Sequence, residues 1–211
     1  MKSKFMELFS NKKPVIGMLH LKGSTDEEVF RIAKQEIDIY YENGVDAVLV
    51  ENYFGTYHHM IPILEYLQKN YHDHIYGVNC LYQNTLSFEL AIRFGAHFIQ
   101  IDAISGHLIE REDISYAEFI KLYRSRYSGY IIGGVRFKHQ PRSLEDDLNI
   151  AMTRCDAIAV SQDETGQETS MEKIVEFRNI IGDFPLIVGA GMTAENCAKQ
   201  LSIADGAIVG S

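Results

Sequence analysis

Apolar residues fall along this chain in two alternating patterns: short runs apolar at consecutive positions, and longer stretches where they recur every three or four residues. The first run is "PVIGMLHL" (14–21). The stretch after it, "DEEVFRIAKQEIDIYYENG", sets Val29, Ile32, Ala33, Ile37 and Tyr40 at helical spacing, with an acidic start and an Asn43-Gly44 stop that suit helix ends. The same alternation then repeats with no break in composition. Strand-like "VDAVLVEN", "HIYGVNCL", "AHFIQIDA", "GYIIGGVRF", "DAIAVS", "PLIVGAG" and "GAIVGS" are separated by helical "HHMIPILEYLQKN", "TLSFELAIRFG", "YAEFIKLYRSRY", "SLEDDLNIAMTRC", "SMEKIVEFRNIIG" and "TAENCAKQLSIA". The pattern predicts eight strands and seven helices in strict order.

Strands apolar on successive positions are buried on both faces, which is the situation in a parallel sheet covered by helices. Right-handed crossovers leave an open doubly wound sheet or a closed barrel, and eight repeated units favour the barrel. No G-x-G-x-x-G follows the first strand, which weakens the dinucleotide-binding alternative. The expected fold is therefore α/β, a (β/α)8 TIM barrel with a parallel eight-stranded core, forming one domain over residues 1–211. Such a barrel closes with an eighth helix over its last and first strands, and here that helix is missing. An exposed apolar strip beside those strands is expected, and with it a homo-oligomer. Within the N-terminal extension 1–13, "KFMELF" could be a helix plugging the barrel bottom.

Composition narrows the function classes. A formal net charge of −9 with no basic block disfavours nucleic acid. Cys80, Cys155 and Cys197 are too few and too scattered for a disulfide framework, and no two have zinc-ligand spacing, so a reducing, cytoplasmic setting fits. No apolar run has the length of a signal peptide core or a transmembrane segment.

In this fold, chemistry sits where the strands exit at their C-terminal ends. The residues there are His20, Glu51, Asn52, Asn79, Asp102, Arg136, Lys138, His139, Ser161, Gln162 and Asp163. Glu51 and Asp102 are placed for proton transfer, His20 is the best-placed imidazole, and Lys138 could form a Schiff base, neutralise an enolate or hold an anion. Arg136 shares the face of Lys138, with an ion pair to Asp102 or Glu51 as its structural alternative. Asn52 and Asn79 suit a ligand hydroxyl. "VGAG" before Thr193, a good N-cap, and "VGS" at the end gather Gly189, Gly191, Gly210 and Ser211 at the usual phosphate site of the fold. The same glycines would equally serve tight turns. The clusters His58-His59 and His72-Asp73-His74 read as helix start and solvated turn rather than metal ligands, and no metal or other cofactor is expected. Cys80 reads as a small apolar residue, and "EREDISYAEF" as a solvated loop leading into a helix.

Taken in order, "PVIGMLHL", "GVDAVLVENYFG", "YGVNCLYQN", "FIQIDAISG", "VRFKHQP", "AIAVSQDETG" and "VGAGMTAENCAKQLSIADGAIVGS" resemble the BtpA/SgcQ family along almost the whole chain. The resemblance implies a ribulose-phosphate-binding TIM barrel, and maps recurrent family positions onto His20, Glu51, Asn52, Asn79, Lys138, His139, Ser161, Thr165, Gly166, Gly189 and Gly191. One branch is associated with stabilising photosystem I reaction-centre proteins and another with a sugar-metabolism gene cluster. This chain departs from the family pattern with "LKGSTDEE" in place of an "LPG" turn, a shorter segment between strands four and five, and no continuation past strand eight.

Two functions follow as expectations. The first is an enzyme acting on a phosphorylated small molecule, a sugar or ribose phosphate, by isomerase, epimerase, lyase or aldolase chemistry. The second is a non-catalytic metabolite-binding or assembly protein, which the same fold could equally host. A phosphoribosylanthranilate-isomerase-like reaction would need a base, commonly cysteine, at the end of strand one, where this chain has His20.

Overall fold

The computed structural model describes residues 3–135, 142–162 and 166–210. The apolar runs become β1 (Val15–Leu19), β2 (Ala47–Glu51), β3 (Ile75–Asn79), β4 (Phe98–Ile101), β5 (Tyr130–Gly134), β6 (Ala157–Val160), β7 (Leu186–Val188) and β8 (Gly206–Val209). All neighbours pair in parallel, and β8 returns to β1 through Ile16↔Ile208 and Gly17↔Val209, so the sheet is a closed barrel. Between the strands run α1 (Asp26–Glu42), α2 (Tyr57–Asn70), α3 (Asn84–Phe94), α4 (Glu110–Arg124), α5 (Leu144–Arg154), α6 (Met171–Ile181) and a single turn, α7 (Cys197–Gln200). Thr25, Ser143 and Ser170 cap α1, α5 and α6 by accepting from the third following amide, which satisfies one orphan donor at each helix start.

Strand alternation splits the core in two. Ile16, Met18, Ala47, Leu49, Phe98, Ile132, Ala157, Ala159, Ile187 and Ile208 fill the barrel interior, while residues such as Val48, Val50, Val78, Ile99, Ile131, Ile158 and Val188 face the helices. Large and small residues interlock inside: a Cβ on Gly77 would lie 2.3 Å from the Phe98 ring, so that ring needs glycine beside it. A 3-10 helix over Phe5–Leu8 stands at the strand N-terminal end, where buried Phe5 packs edge-on against Phe98 and Tyr130, the first residues of β4 and β5. Interior volume is thus filled from below, and free space is left at the opposite end.

Three expectations are corrected. The stretch "EREDISYAEF" is not a loop, because α4 begins at Glu110. Its apolar pattern is inverted: Ile114 is exposed while Asp113 turns inward to a paired contact with Arg154 at 2.8 and 2.9 Å. Arg142 adds a second cation at 3.3 Å from Asp113, and the hydrogen bonds from Arg154 hold the Asp113 carboxyl below the usual carboxylate range. Helix seven is far shorter than "TAENCAKQLSIA". The Thr193 amide donates to the Asn196 side chain and Gln200 turns inward to donate to the Thr169 carbonyl, so turns replace most of the helix. Finally, among the described residues the outer faces of β1 and β8 carry no exposed apolar strip. Leu19 and Ala207 are buried, Val15 and Val209 are half-buried, and Tyr40 lies over Gly17, where a Cβ would meet its ring at 2.8 Å.

Candidate active site

At the C-terminal mouth the strands deliver a connected polar group. Glu51 and Asn79 are register partners on β2 and β3, and their side chains point inward together. The Asn79 amide donates to Glu51 Oε2 at 2.6 Å and to Asp102 Oδ1 at 3.0 Å. Gln100, inward on β4, donates to the same Asp102 oxygen at 3.2 Å. His20, at the exit of β1, brings Nε2 to 3.7 Å from Glu51 Oε1. The structure thus brings the expected residues His20, Glu51, Asn79 and Asp102 to one mouth, where the Asn79 amide joins the two carboxyl groups and His20 stands beside Glu51.

The two carboxyl groups differ in surroundings. Glu51 is only 5% exposed. Burial first, and the nearby Asp102 charge second, push its carboxyl up to about 8 against the lowering effect of the Asn79 bond. Glu51 is accordingly protonated near neutral pH. Because Oε2 accepts from Asn79, the proton belongs on Oε1, the oxygen on the His20 side.

Two cavities open here. One of about 160 Å³ is lined by Glu51, Gln100, Asp102, Ser161, Tyr82 and neighbours. A larger one of about 680 Å³ runs over the β7 and β8 loops and is bounded by Gly166, Glu168, Gly189, Gly191, Thr193, Glu195 and Gly210. His20, Met18, Tyr53, Gly189 and Ala190 border both. Gln100 Oε1 is buried with no hydrogen-bond partner among the described residues.

The glycines of the expected phosphate loop have packing reasons of their own. Gly191 has φ +72 and a Cβ there would lie 2.3 Å from the Gln167 carbonyl, so only glycine fits. A Cβ on Gly189 would lie 2.5 Å from Ser161 Oγ, and one on Gly210 would lie 2.7 Å from Met18 Cβ. The Gly189 amide donates to the Val160 carbonyl and the Thr193 amide to Asn196, so neither remains for an anion. Glu195, its carboxyl held low by the Thr193 hydrogen bond, borders the same cavity together with Glu168. Asn52 points its carbonyl at the Leu81 amide, 2.7 Å away, and so fixes the loop after β3 rather than entering either cavity. Gln162 likewise accepts from the Ser170 amide at the start of α6. Arg136, Lys138, His139, Asp163, Thr165 and Ser211 lie outside the described residues.

The other clusters hold the scaffold. His59 accepts from the Thr56 amide through Nδ1 and meets Asp26 through Nε2, closing the start of α2. His74 packs against the stacked rings of Tyr41 and Tyr71. Burial pushes the Cys80 thiol up to about 11. Among the described residues no group of three or more His, Cys, Asp or Glu is arranged to hold a metal ion. Sequence reading missed Gln100, Tyr53, Phe54, Tyr82, Glu168 and Glu195. The first was legible as an inward position of β4; the others sit on loops, where periodicity says nothing.

Comparison with known proteins agrees with this architecture. Residues 11–211 match the model of the BtpA family. An uncharacterized protein of Methanocaldococcus jannaschii is 27% identical over 230 residues, covering 95% of this chain and 86% of its own. A photosystem I biogenesis protein, BtpA, of Synechocystis is 26% identical over 236 residues, covering 97% and 82%. Among solved structures, the N-acetylmannosamine-6-phosphate 2-epimerase of Clostridium perfringens superposes with a TM-score of 0.64 at 12% identity, covering 93% of this chain and 86% of that one.

Proposed function

Since the chain belongs to the BtpA family, we propose that its barrel mouth is the active site of an enzyme that moves a proton next to a carbonyl on a phosphorylated sugar or similar small molecule. The observation that carries this reading is the Asn79 bridge between two carboxyl groups in unequal environments, one of them protonated near neutral pH. A carboxyl held protonated by burial beside a second carboxyl suits the acid of an acid–base pair. Asp102 takes the proton from the carbon beside the carbonyl, the electron pair moves into a C=C bond, and Glu51 Oε1 gives its proton to the carbonyl oxygen. The enediol so formed collapses in reverse with the proton returned to either carbon or either face, which yields an isomer or an epimer. His20 stands beside Glu51 to stabilise the developing oxyanion, and Gln100 Oε1 accepts from a substrate hydroxyl.

The fold supports a phosphorylated substrate class, because a structural neighbour of similar architecture is named for a sugar 6-phosphate. The phosphate is assigned to the large cavity along the loops after β7 and β8, held by loop amides other than those of Gly189 and Thr193, with Gly166, Gly191 and Gly210 around it. Lys138, Arg136, His139, Thr165 and Ser211 are the further candidates to hold or neutralise the ligand.

A thermal melt with inorganic phosphate, pentose phosphates and hexose phosphates tests the reading. At about 100 times the dissociation constant a ligand adds roughly 2.7 kcal/mol to the native state, a shift of about 5–10 °C for a chain of this size. The expected result is a shift with a sugar phosphate that its unphosphorylated sugar does not give. No shift with any phosphate would overturn the assignment. Binding without turnover of any ligand would move the reading to a metabolite-binding protein.

A further inference from the structure

The mouth has more room and more aromatic surface than a sugar phosphate uses. Even at the roughly 30 Å³ that a water takes in the liquid, a generous allowance for bonded atoms, the fourteen or so non-hydrogen atoms of a pentose phosphate fill about 420 Å³. The large cavity alone is about 680 Å³. Several of the chain's exposed large apolar side chains gather at this mouth: Tyr53 is 44% exposed, Phe54 62% and Tyr82 97%. Exposed aromatic surface confined to a cavity rim marks a binding face.

The loop that carries Tyr53 and Phe54 is held in place. The Phe54 amide donates to the His20 carbonyl at 3.0 Å, tying the β2 loop to the exit of β1. A Cβ on Gly55 would lie 2.9 Å from the His59 ring and 3.1 Å from Leu21, so the loop is seated on both. The ring of Phe54 meets Tyr53 edge-on at 4.8 Å and 88°, and His20 lies 5.3 Å from Tyr53 at a 52° tilt. Neither neighbour is stacked flat on Tyr53. Lys22 stands 5.6 Å from the centre of the Phe54 ring, whereas Tyr53 has only edge-on and tilted ring neighbours, and Tyr82 borders the smaller cavity but not the larger one. Tyr53 borders both cavities, and so stands where the reacting end of a ligand would join its remainder. Met18, Met192 and Ile208 give the large cavity apolar wall, while the carboxylates of Glu168 and Glu195 offer acceptors to an amino group.

We propose that the ligand of this site carries a planar, amino-bearing ring, a nucleobase of the adenine type, that stacks on Tyr53 while its sugar phosphate lies along the strand exits. This rests on the sugar-phosphate reading above and makes the substrate class a sugar phosphate that keeps its free carbonyl and also carries such a ring; adenosine 5′-monophosphate, whose ribose has no carbonyl, serves only as a binding probe of ring and phosphate. Stacking on an aromatic side chain is worth about a 5- to 150-fold change in affinity on removal of the ring.

Isothermal titration with adenosine 5′-monophosphate, ribose 5-phosphate and adenosine tests it. The wild-type protein should bind the monophosphate at least about fivefold more tightly than ribose 5-phosphate. Tyr53→Ala should remove that preference with ribose 5-phosphate binding unchanged, and Tyr53→Phe should keep it. Equal binding of the two phosphates by the wild type, or a preference that survives Tyr53→Ala, overturns the ring assignment and leaves the sugar-phosphate reading standing. Binding of adenosine and the monophosphate but not of ribose 5-phosphate supports the ring and removes the phosphate. Binding of none overturns both. Because Tyr53 is partly exposed and outside the core, the alanine variant should melt within a few degrees of the wild type.

Discussion

Replacing Glu51 with glutamine should change how stability depends on pH more than it changes stability itself. The carboxyl of Glu51 titrates near 4.5 in the unfolded chain and about 8 in the folded one, because burial and the Asp102 charge oppose its ionisation. Between those values the folded protein keeps a proton that the unfolded chain has released, so unfolding gains from rising pH and stability falls across the window. The contribution is fully present below about pH 4.5 and is lost as pH passes 8. At about 1.36 kcal/mol per pH unit, the whole displacement sets a ceiling of about 5 kcal/mol; relaxation and water at the open cavity bring the expected effect to roughly 2–3 kcal/mol. For a chain of this length that is a melting shift of about 5–10 °C. Glutamine has nothing to ionise, and its carbonyl still accepts the Asn79 bond. Melts followed by circular dichroism at pH 5, 7 and 9 should show the variant and wild type close together at pH 5 and the variant clearly higher at pH 9. A difference that stays constant from pH 5 to 9 would refute the idea that Glu51 is held protonated by its surroundings.

Three further outcomes follow from other contacts. Arg154→Ala leaves Asp113 facing inward with one of its two cations removed, and should cost about 3–5 kcal/mol in urea unfolding. Phe5→Ala empties the contact with Phe98 and Tyr130 beneath the barrel and should cost roughly 3 kcal/mol by the same measure, while a loss below 0.5 kcal/mol would show that the N-terminal turn only rests on the barrel. Glu195→Gln removes the carboxylate that accepts from Thr193 at the cavity edge, so phosphate should bind the variant more tightly than the wild type, more markedly at low salt than at high salt.

How far the fold could be read from the sequence depended on periodicity. The eight strands and six of the seven helices were legible, because burial on both faces makes strands such as Ala47–Glu51 apolar at nearly every position and leaves helices such as Asp26–Glu42 with one buried stripe. The start of α4 was not. Its inward residue is Asp113 and its outward residue is Ile114, so the pattern fails where an ion pair replaces an apolar contact. At the mouth, strand ends were legible: Glu51, Asn79 and Asp102 lie at positions fixed by the barrel. What was not legible was that one amide joins them, which depends on strand stagger. The loop residues Tyr53, Phe54 and Tyr82 escaped for a different reason. Nothing in a turn sequence says whether its aromatic side chain folds inward or stands at a rim. The three phosphate-loop glycines were legible as special positions, yet their closest approaches are to Ser161, Gln167 and Met18, all within the protein itself.

The most direct test of the account is solvent deuterium exchange. The protein is incubated in heavy water with a set of aldose, ketose and amino-sugar phosphates, and incorporation at carbon beside the carbonyl is read by nuclear magnetic resonance and mass spectrometry. At least one phosphorylated sugar should gain a single deuterium while its unphosphorylated counterpart does not, and Glu51→Gln and Asp102→Asn should each abolish the exchange without loss of fold. Exchange that persists in both variants, or no exchange in any phosphorylated sugar by the wild-type protein, would contradict the account.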